Sequence, residues 1–450
     1  MRRMRRFALL PALTITTLIS SVALAYDSSI SPPTTPSKIP LMSTLMSTPS
    51  AALLDPVRSI LSLPELTPNQ LEDNLYIALM GFNYPHDDYY TVGKNLTTRN
   101  YDQLKKTTDN FEHAEPYHVE SIIAYLFPDE APLRFDNTIR VETQMDAELL
   151  EKMTPLGELP ISTRLSDWER KAFPFPCRAK PTIICYQQVI DDEAIYNEIY
   201  ENKHNDLLMK RYLELRKFKH FEPIARSLVT PSPDWNSILK LSEMRMAEAV
   251  LKISRGETIE GLTELLEERQ FITRFMATGK KSDLSAVLMA HSSLKSLSYL
   301  IESFLFQSQS DRHKLTDEEN ALIVQISAPL DDTYRDAIFE GIHNESFAHL
   351  RTLPIMMSDA LKEDPNALPS KVLNSEYLAH HSMLKSLNVK TIIPSEFGIS
   401  NDQYRHLMDT NINERVLMES QSYYTTIIDQ YLDLFDRYQS LYRKCSGNAK

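Results

Sequence analysis

The sequence predicts an all-α fold of antiparallel helix hairpins in a solenoid-like stack, with one Pro-rich connecting loop. Three observations give that class. Only nine of the 450 residues are Gly, against roughly 7% in ordinary chains, and sheets joined by tight hairpins draw on Gly at their turns. Long segments repeat Leu, Ile or Tyr every three or four residues, the period of one helix face. Two capping boxes, Thr67-x-x-Gln70 and Thr316-x-x-Glu319, mark helix starts, because each pair satisfies two otherwise orphaned backbone N–H groups.

The elements follow in chain order. Arg2, Arg3, Arg5 and Arg6 precede an apolar run from Phe7 to Leu24 that closes on Ala23-Leu24-Ala25. Residues 1–25 therefore read as a secretory signal peptide of the Sec type. Pro11, Thr14, Thr16, Thr17, Ser20 and Ser21 interrupt the run, which favours cleavage over an anchor, since a span needs about 20 predominantly apolar residues. No Cys follows the cleavage site, and Arg5-Arg6-Phe7 lacks a residue that the twin-arginine pattern requires. Residues 26–51, rich in Pro, Ser and Thr, read as a disordered linker.

An N-terminal helical region, 52–190, comes next. Thr67 caps a helix with Pro68 at its first position; Leu71, Leu75 and Leu79 continue it until Gly81 stops it. A turn over 82–93 carries Tyr84, His86, Asp87, Asp88, Tyr89 and Tyr90. Helices are expected near 94–112, 116–127 and 146–153. The connecting loop, 154–186, holds five prolines, the stiff strip Phe173-Pro174-Phe175-Pro176-Cys177, and one helical stretch over 162–173.

Residues 191–450 read as helix hairpins with a long C-terminal helix. Expected helices span 191–218, 234–255 (halted by Gly256), 258–277 and 282–306, the last two with Ile259, Leu262, Leu265, Leu266, Leu284, Val287, Leu288, Leu294, Leu297, Ile301 and Phe304 inward. No repeat of fixed period can be aligned. Further helices are expected at 316–328, 331–350, 354–363, 374–387 and 401–444. In the last of these Tyr424, Ile428, Tyr431, Phe435, Tyr438 and Tyr442 form an aromatic stripe suited to helix packing.

Charge and motifs narrow the function by exclusion. The chain carries 48 basic and 61 acidic side chains, a net charge of −13, and four of the cations sit in the leader. Such a surface repels phosphate backbones, so nucleic acid is not an expected partner. No Gly-rich nucleotide loop and no G-x-S-x-G elbow occurs, and no cofactor is expected. His113/His118, His343/His349 and His380/His381 lack the i, i+4 spacing that places two imidazoles on one helix face, so no metal site is expected. His291, between Val287 and Leu294, reads as a satisfied core histidine. Cys177 and Cys185 are eight residues apart; in an oxidising compartment their closure would contribute about 2.5 kcal/mol. Cys445 is left over.

Paired carboxylates were weighed against the lytic transglycosylase pattern. Glu345-Ser346-Phe347 matches its first fragment, but the Gly-rich stretch that should follow is replaced by Leu353-Pro354-Ile355-Met356-Met357. Glu345 therefore reads as a surface helix residue.

Asp73-Asn74-Leu75-Tyr76-Ile77-Ala78-Leu79-Met80-Gly81-Phe82, followed by Asp88 and Gly93, resembles the opening of a group of exported proteobacterial envelope proteins of uncharacterised function. Their pattern is N-x-Y/F-x-x-L-x-G-[FL], then a D…G turn and a Pro- and Phe-flanked Cys pair. The resemblance covers about a quarter of the chain and implies a helical, envelope-located protein; it carries over no catalytic residue.

The leading expectation is a non-catalytic periplasmic or secreted scaffold or binding protein for an unknown protein or envelope ligand. It would touch a membrane only through an uncleaved leader. Tyr84, His86, Asp88, Tyr89, Phe173 and Phe175 are the candidate binding residues, and Cys177–Cys185 the candidate disulfide. The alternative is a cell-envelope hydrolase whose site gathers His86, Asp87, Asp88 and Glu345.

Overall fold

The computed structural model describes residues 53–84, 87–110, 133–143, 167–172, 175–178, 184–225, 227, 230–276, 282–310, 315–363, 373 and 411–447. The leader, the linker, and the expected helices at 116–127, 146–153 and 374–387 lie outside them. The fold is all-α, with thirteen α-helices among the described residues and one appended two-stranded ribbon.

The first helices are α1 (Asp55–Leu61), α2 (Pro68–Leu71), α3 (Leu75–Gly81) and α4 (Tyr89–Asp109). The Thr67–Gln70 capping box forms, but the helix it starts is only four residues long. The chain breaks at Asp73, where φ is +52°, and Asn74 caps a new helix by accepting the Tyr76 N–H at 3.0 Å. Asp and Asn tolerate this left-handed backbone better than other side-chain-bearing residues. The Leu71–Leu75–Leu79 period runs straight through the break, which is why spacing alone predicts one helix.

Gly81 ends α3 as expected and has a second role. A Cβ at Gly81 would collide with the Tyr89 carbonyl oxygen, and one at Gly93 with that of Ile77. These two glycines let α3 and α4 cross backbone against backbone, a close approach that any side chain forbids.

The expected helical stretch over 162–173 is corrected at its end. Strand β2 (Asp167–Ala172) pairs antiparallel with β1 (Thr138–Thr143), in register Thr138 to Ala172 and Thr143 to Asp167. Thr-Ile-Arg-Val-Glu-Thr alternates β-branched with charged residues through most of its length, a period of two rather than 3.6.

A separate helix, α5 (Cys185–Asp191), precedes the expected 191–218 helix, which is two segments, α6 (Glu193–Glu201) and α7 (Lys203–Glu214), trailed by a 3₁₀ turn at Leu215–Lys217. Asn202 makes the break by accepting the His204 N–H at 2.9 Å. The hairpin of α8 (Trp235–Ser254) and α9 (Thr258–Thr273) follows the sequence closely. Asp234 caps α8 through the Ser237 N–H at 3.1 Å, and Gly256 takes φ +91° at the turn.

Helix α10 (Leu284–Ser310) packs on both α8 and α5. Its expected inner residues, Leu284 through Phe304, are all buried. The second capping box opens α11 (Asp317–Ile326). Helix α12 (Asp332–Glu363) continues through Pro354 where two helices were expected. The reason is tertiary: Leu350 and Leu353 pack on Val57, Ile60 and Leu61 of α1, and Arg351 Nε donates to the Ile60 carbonyl at 3.1 Å. Those contacts hold helical a turn from which proline removes one hydrogen bond.

Helix α13 (Asn411–Gly447) lies against α10, α11 and α12. Tyr424, Ile428, Tyr431 and Tyr438 of its stripe are buried. The main core runs unbroken from Leu63 to Cys445, so it crosses the expected boundary at 190/191. Among the described residues, no helix is long and apolar enough to cross a membrane.

Candidate functional site

The structure divides the six candidate binding residues between two places, with His86 and Phe173 outside the described residues. Tyr84 and Tyr89 are buried at the α3–α4 corner. Arg211 of α7 reaches across and donates from Nη1 to the carbonyls of Phe82 at 2.7 Å and Tyr84 at 2.5 Å. Its guanidinium also lies 5.0 Å from the centre of the Tyr89 ring, a cation–π distance. Asp88 is exposed but occupied as the N-cap of α4, with Oδ1 accepting from the Thr91 N–H at 3.0 Å and Oδ2 from the Thr91 hydroxyl at 2.7 Å. Asp87 is exposed on the same turn, and Glu345 is half-buried on α12.

The residues that carry the family resemblance build this corner. Asn74 is wholly buried. Its side-chain N–H groups go to the carbonyls of Gln70 and Glu222, both at 2.8 Å, while its oxygen accepts from the N–H groups of Tyr76 and Glu222. With Gly81, Asp88 and Gly93, that accounts for the motif as packing and capping.

Phe175 belongs to the second place, a shallow cleft between α6, α8 and the segments that flank the ribbon, with a cavity volume of about 10 Å³, room for about one water. Two stretches of irregular chain frame it. Residues 133–137 are tied down by Asn83, whose side-chain N–H donates to the Leu133 carbonyl at 2.7 Å, by Ser237 Oγ at 3.3 Å from the Phe135 N–H, and by Asn205 Oδ1 at 2.9 Å from the Asp136 N–H. The other stretch, 175–178, is anchored by the disulfide Cys177–Cys185, with Cα atoms 5.2 Å apart; both cysteines are fully buried.

Aromatic and aliphatic walls come from Phe135, Phe175, Tyr196, Ile199 and Met244, and the polar groups are Asn137, Lys240 and Glu243. Glu243 is 4% exposed. Arg178, next to the disulfide, clamps it with both ends of the fork: Nε donates to Oε1 at 2.6 Å and Nη2 to Oε2. Burial pushes the Glu243 carboxyl above its ordinary range, against the pull of Arg178. Lys240, one turn earlier on α8, is half-buried and makes no ion pair among the described residues. Desolvation lowers its pKa and the nearby Arg178 charge lowers it further, since both disfavour a second cation there.

Sequence reasoning nominated Phe175 and missed Arg178, Lys240 and Glu243. One signal was available: Glu243 falls on the stripe of α8 between Leu239 and Met246, where a carboxylate is costly unless paired.

Elsewhere in the core, Glu268 and His291 are each tied to neighbouring side chains. Glu268, fully buried, accepts from Tyr212 and from Arg216 Nη2 at 2.9 Å. His291 is 1% exposed, with Nδ1 2.9 Å from the Tyr334 hydroxyl and its ring stacked on Tyr431. Burial lowers its pKa to about 3, so it is a neutral core histidine. Cys445 is a buried free thiol, 3.5 Å from the Ser327 hydroxyl. No group of three or more His, Cys, Asp or Glu suited to a metal occurs among the described residues.

Fold and disulfide together define an all-α protein in which the Cys177–Cys185 bond anchors an irregular strip beside α8. No family model, no curated protein and no solved structure matches the chain.

Proposed function

We propose that this is an exported, non-catalytic binding protein of the periplasm or extracellular space. The observation that carries the reading is the Cys177–Cys185 disulfide, buried in the core and holding one wall of the cleft. Such bonds persist in oxidising compartments and are rare in the cytosol. The Arg-rich, apolar leader ending at Ala25 supports the same address.

Binding rather than catalysis is favoured by how the cleft spends its ionisable groups. Glu243, the carboxylate that a general base would require, gives both oxygens to Arg178.

Export is tested by producing the full chain, fractionating the cells and mapping tryptic peptides without reduction. The expected result is a mature chain beginning at Tyr26, outside the cytosol, with 177 linked to 185. Cytosolic protein that retains residues 1–25 and has two alkylatable thiols at those positions would refute the reading.

A further inference from the structure

The strip 175–178 is pinned at two adjacent residues by two different kinds of bond. Cys177 is joined to Cys185, the first residue of α5, and α5 packs on α8 and α10. The next residue of that helix, Tyr186, donates its N–H to Ser303 Oγ of α10 at 3.0 Å. Arg178, beside Cys177, forks onto Glu243 of α8. Inside the strip, the Arg178 N–H donates to the Phe175 carbonyl at 3.0 Å. Among the described residues, the fork is the strip's only hydrogen bonding to the rest of the molecule.

Each bond therefore depends on the other. The disulfide sets Arg178 opposite Glu243; without it, the whole strip must be ordered for one ion pair, an entropic cost that opposes seating. The ion pair in turn shields the disulfide. Cys177 and Cys185 are both fully buried, and exchange requires an attacking thiolate to reach a sulfur. Reduction has to wait for the strip to lift, and lifting it leaves the buried Glu243 without its counter-charge. Stranding one member of a buried pair is strongly unfavourable.

We propose that the strip 175–178 is a redox-gated strap: closure of the Cys177–Cys185 bond seats Arg178 on Glu243, and the seated pair holds that bond against reduction. The step is exchange with a dithiol or its disulfide. In opening, one thiolate of the dithiol attacks a protein sulfur and the S–S bond breaks; the second thiol then displaces the mixed disulfide. Two electrons pass to the protein, both cysteines end as thiols carrying the dithiol's two protons, and the dithiol leaves as a cyclic disulfide. The strap is open in a reducing cytosol and closed outside it. That placement rests on the export reading above, whereas the coupling is a property of the purified protein.

Coupling is reciprocal, which gives two readouts. Full-length protein is equilibrated with mixtures of reduced and oxidised dithiothreitol, and alkylation at 177 and 185 is counted by mass spectrometry. Arg178→Met and Glu243→Gln should each shift the equilibrium tenfold or more toward the thiols, where tenfold is about 30 mV. Glu243→Gln removes the charge instead of stranding it, so it carries the test if Arg178→Met does not fold. Glu268→Gln, the same change at a buried carboxylate held by Tyr212 and Arg216, should leave the equilibrium as in the parent. In the other direction, Arg178→Met should lower the urea midpoint of the oxidised protein and leave that of Cys177→Ser/Cys185→Ser unchanged.

A parent-like equilibrium in Glu243→Gln, or the same loss from Arg178→Met with and without the disulfide, overturns the strap. An equal shift in Glu268→Gln also overturns it, because the effect would then follow general destabilisation. If the coupling fails while the oxidised chain is found outside the cytosol, the strap falls and the export reading stands.

Discussion

The α3–α4 corner and the Phe175 cleft both join irregular chain to helices through an arginine on a neighbouring element, and they end in opposite states. At the corner, Arg211 spends its charge on two backbone carbonyls, the tyrosine rings turn inward, and two glycines bring the helix backbones together. At the cleft, Arg178 spends its charge on Glu243, and Lys240 stays half-buried beside a shallow recess. A cluster of Tyr, His and Asp in sequence looks like a binding surface, yet here its described members are consumed by packing and capping. The recess is instead built by residues more than a hundred positions apart.

The largest effect expected from breaking this comparison is at the corner. Gly93→Ala places a methyl group against the Ile77 carbonyl and should cost at least about 4 kcal/mol. Loss of soluble, folded protein, or a collapse in the urea midpoint, is the expected readout; a stable variant would mean the helices do not cross so closely.

Arg178→Met comes next. It leaves Glu243 buried without its counter-charge, a change worth about 3–5 kcal/mol. Because burial already pushes that carboxyl upward, lowering the pH should restore part of the loss by neutralising it. Denaturation curves at neutral and mildly acidic pH check both points.

An acid-sensitive core histidine sharpens the contrast with the cleft. His291 titrates near 3 in the folded protein and near 6.5 when unfolded. The unfolded chain therefore takes up its proton first as pH falls below 6.5, and stability drains away from there toward pH 3. The contribution lost by pH 4 is about 3 kcal/mol. His291→Gln should flatten that part of the stability profile.

Smaller still is the disulfide. Replacing Cys177 and Cys185 together by Ala should cost about 2.5 kcal/mol and loosen the wall that carries Phe175 and Arg178. Unchanged stability in that double variant would place the wall's order elsewhere.

Much of the helical frame was legible because its signals are local. Asp234 before α8, Gly256 after it, and the Thr316–Glu319 box each act within one turn, so sequence spacing carries them directly. The misreadings occur where distant contacts decide. Asp73 turns left-handed beside the segment at Lys219–His220, whose N–H groups its carbonyl accepts, and α12 crosses Pro354 because α1 packs there. The cleft was half visible for the same reason. Phe175 and the cysteines share a conspicuous strip, whereas the pairing of Arg178 with Glu243 spans 65 positions and leaves no periodic trace.

One paired measurement reaches the heart of this account: urea denaturation of Arg211→Met and Arg178→Met, side by side, at neutral and mildly acidic pH. The corner variant, with two carbonyls stripped of their donor, should lose about 1–3 kcal/mol of stability, the same at both pH values relative to the parent. The Arg178 variant should lose more at neutral pH and recover part of the loss in acid, as the stranded Glu243 carboxyl takes up a proton. A loss at Arg178→Met that did not change with pH, beside one at Arg211→Met that did, would reverse the roles assigned to the two arginines.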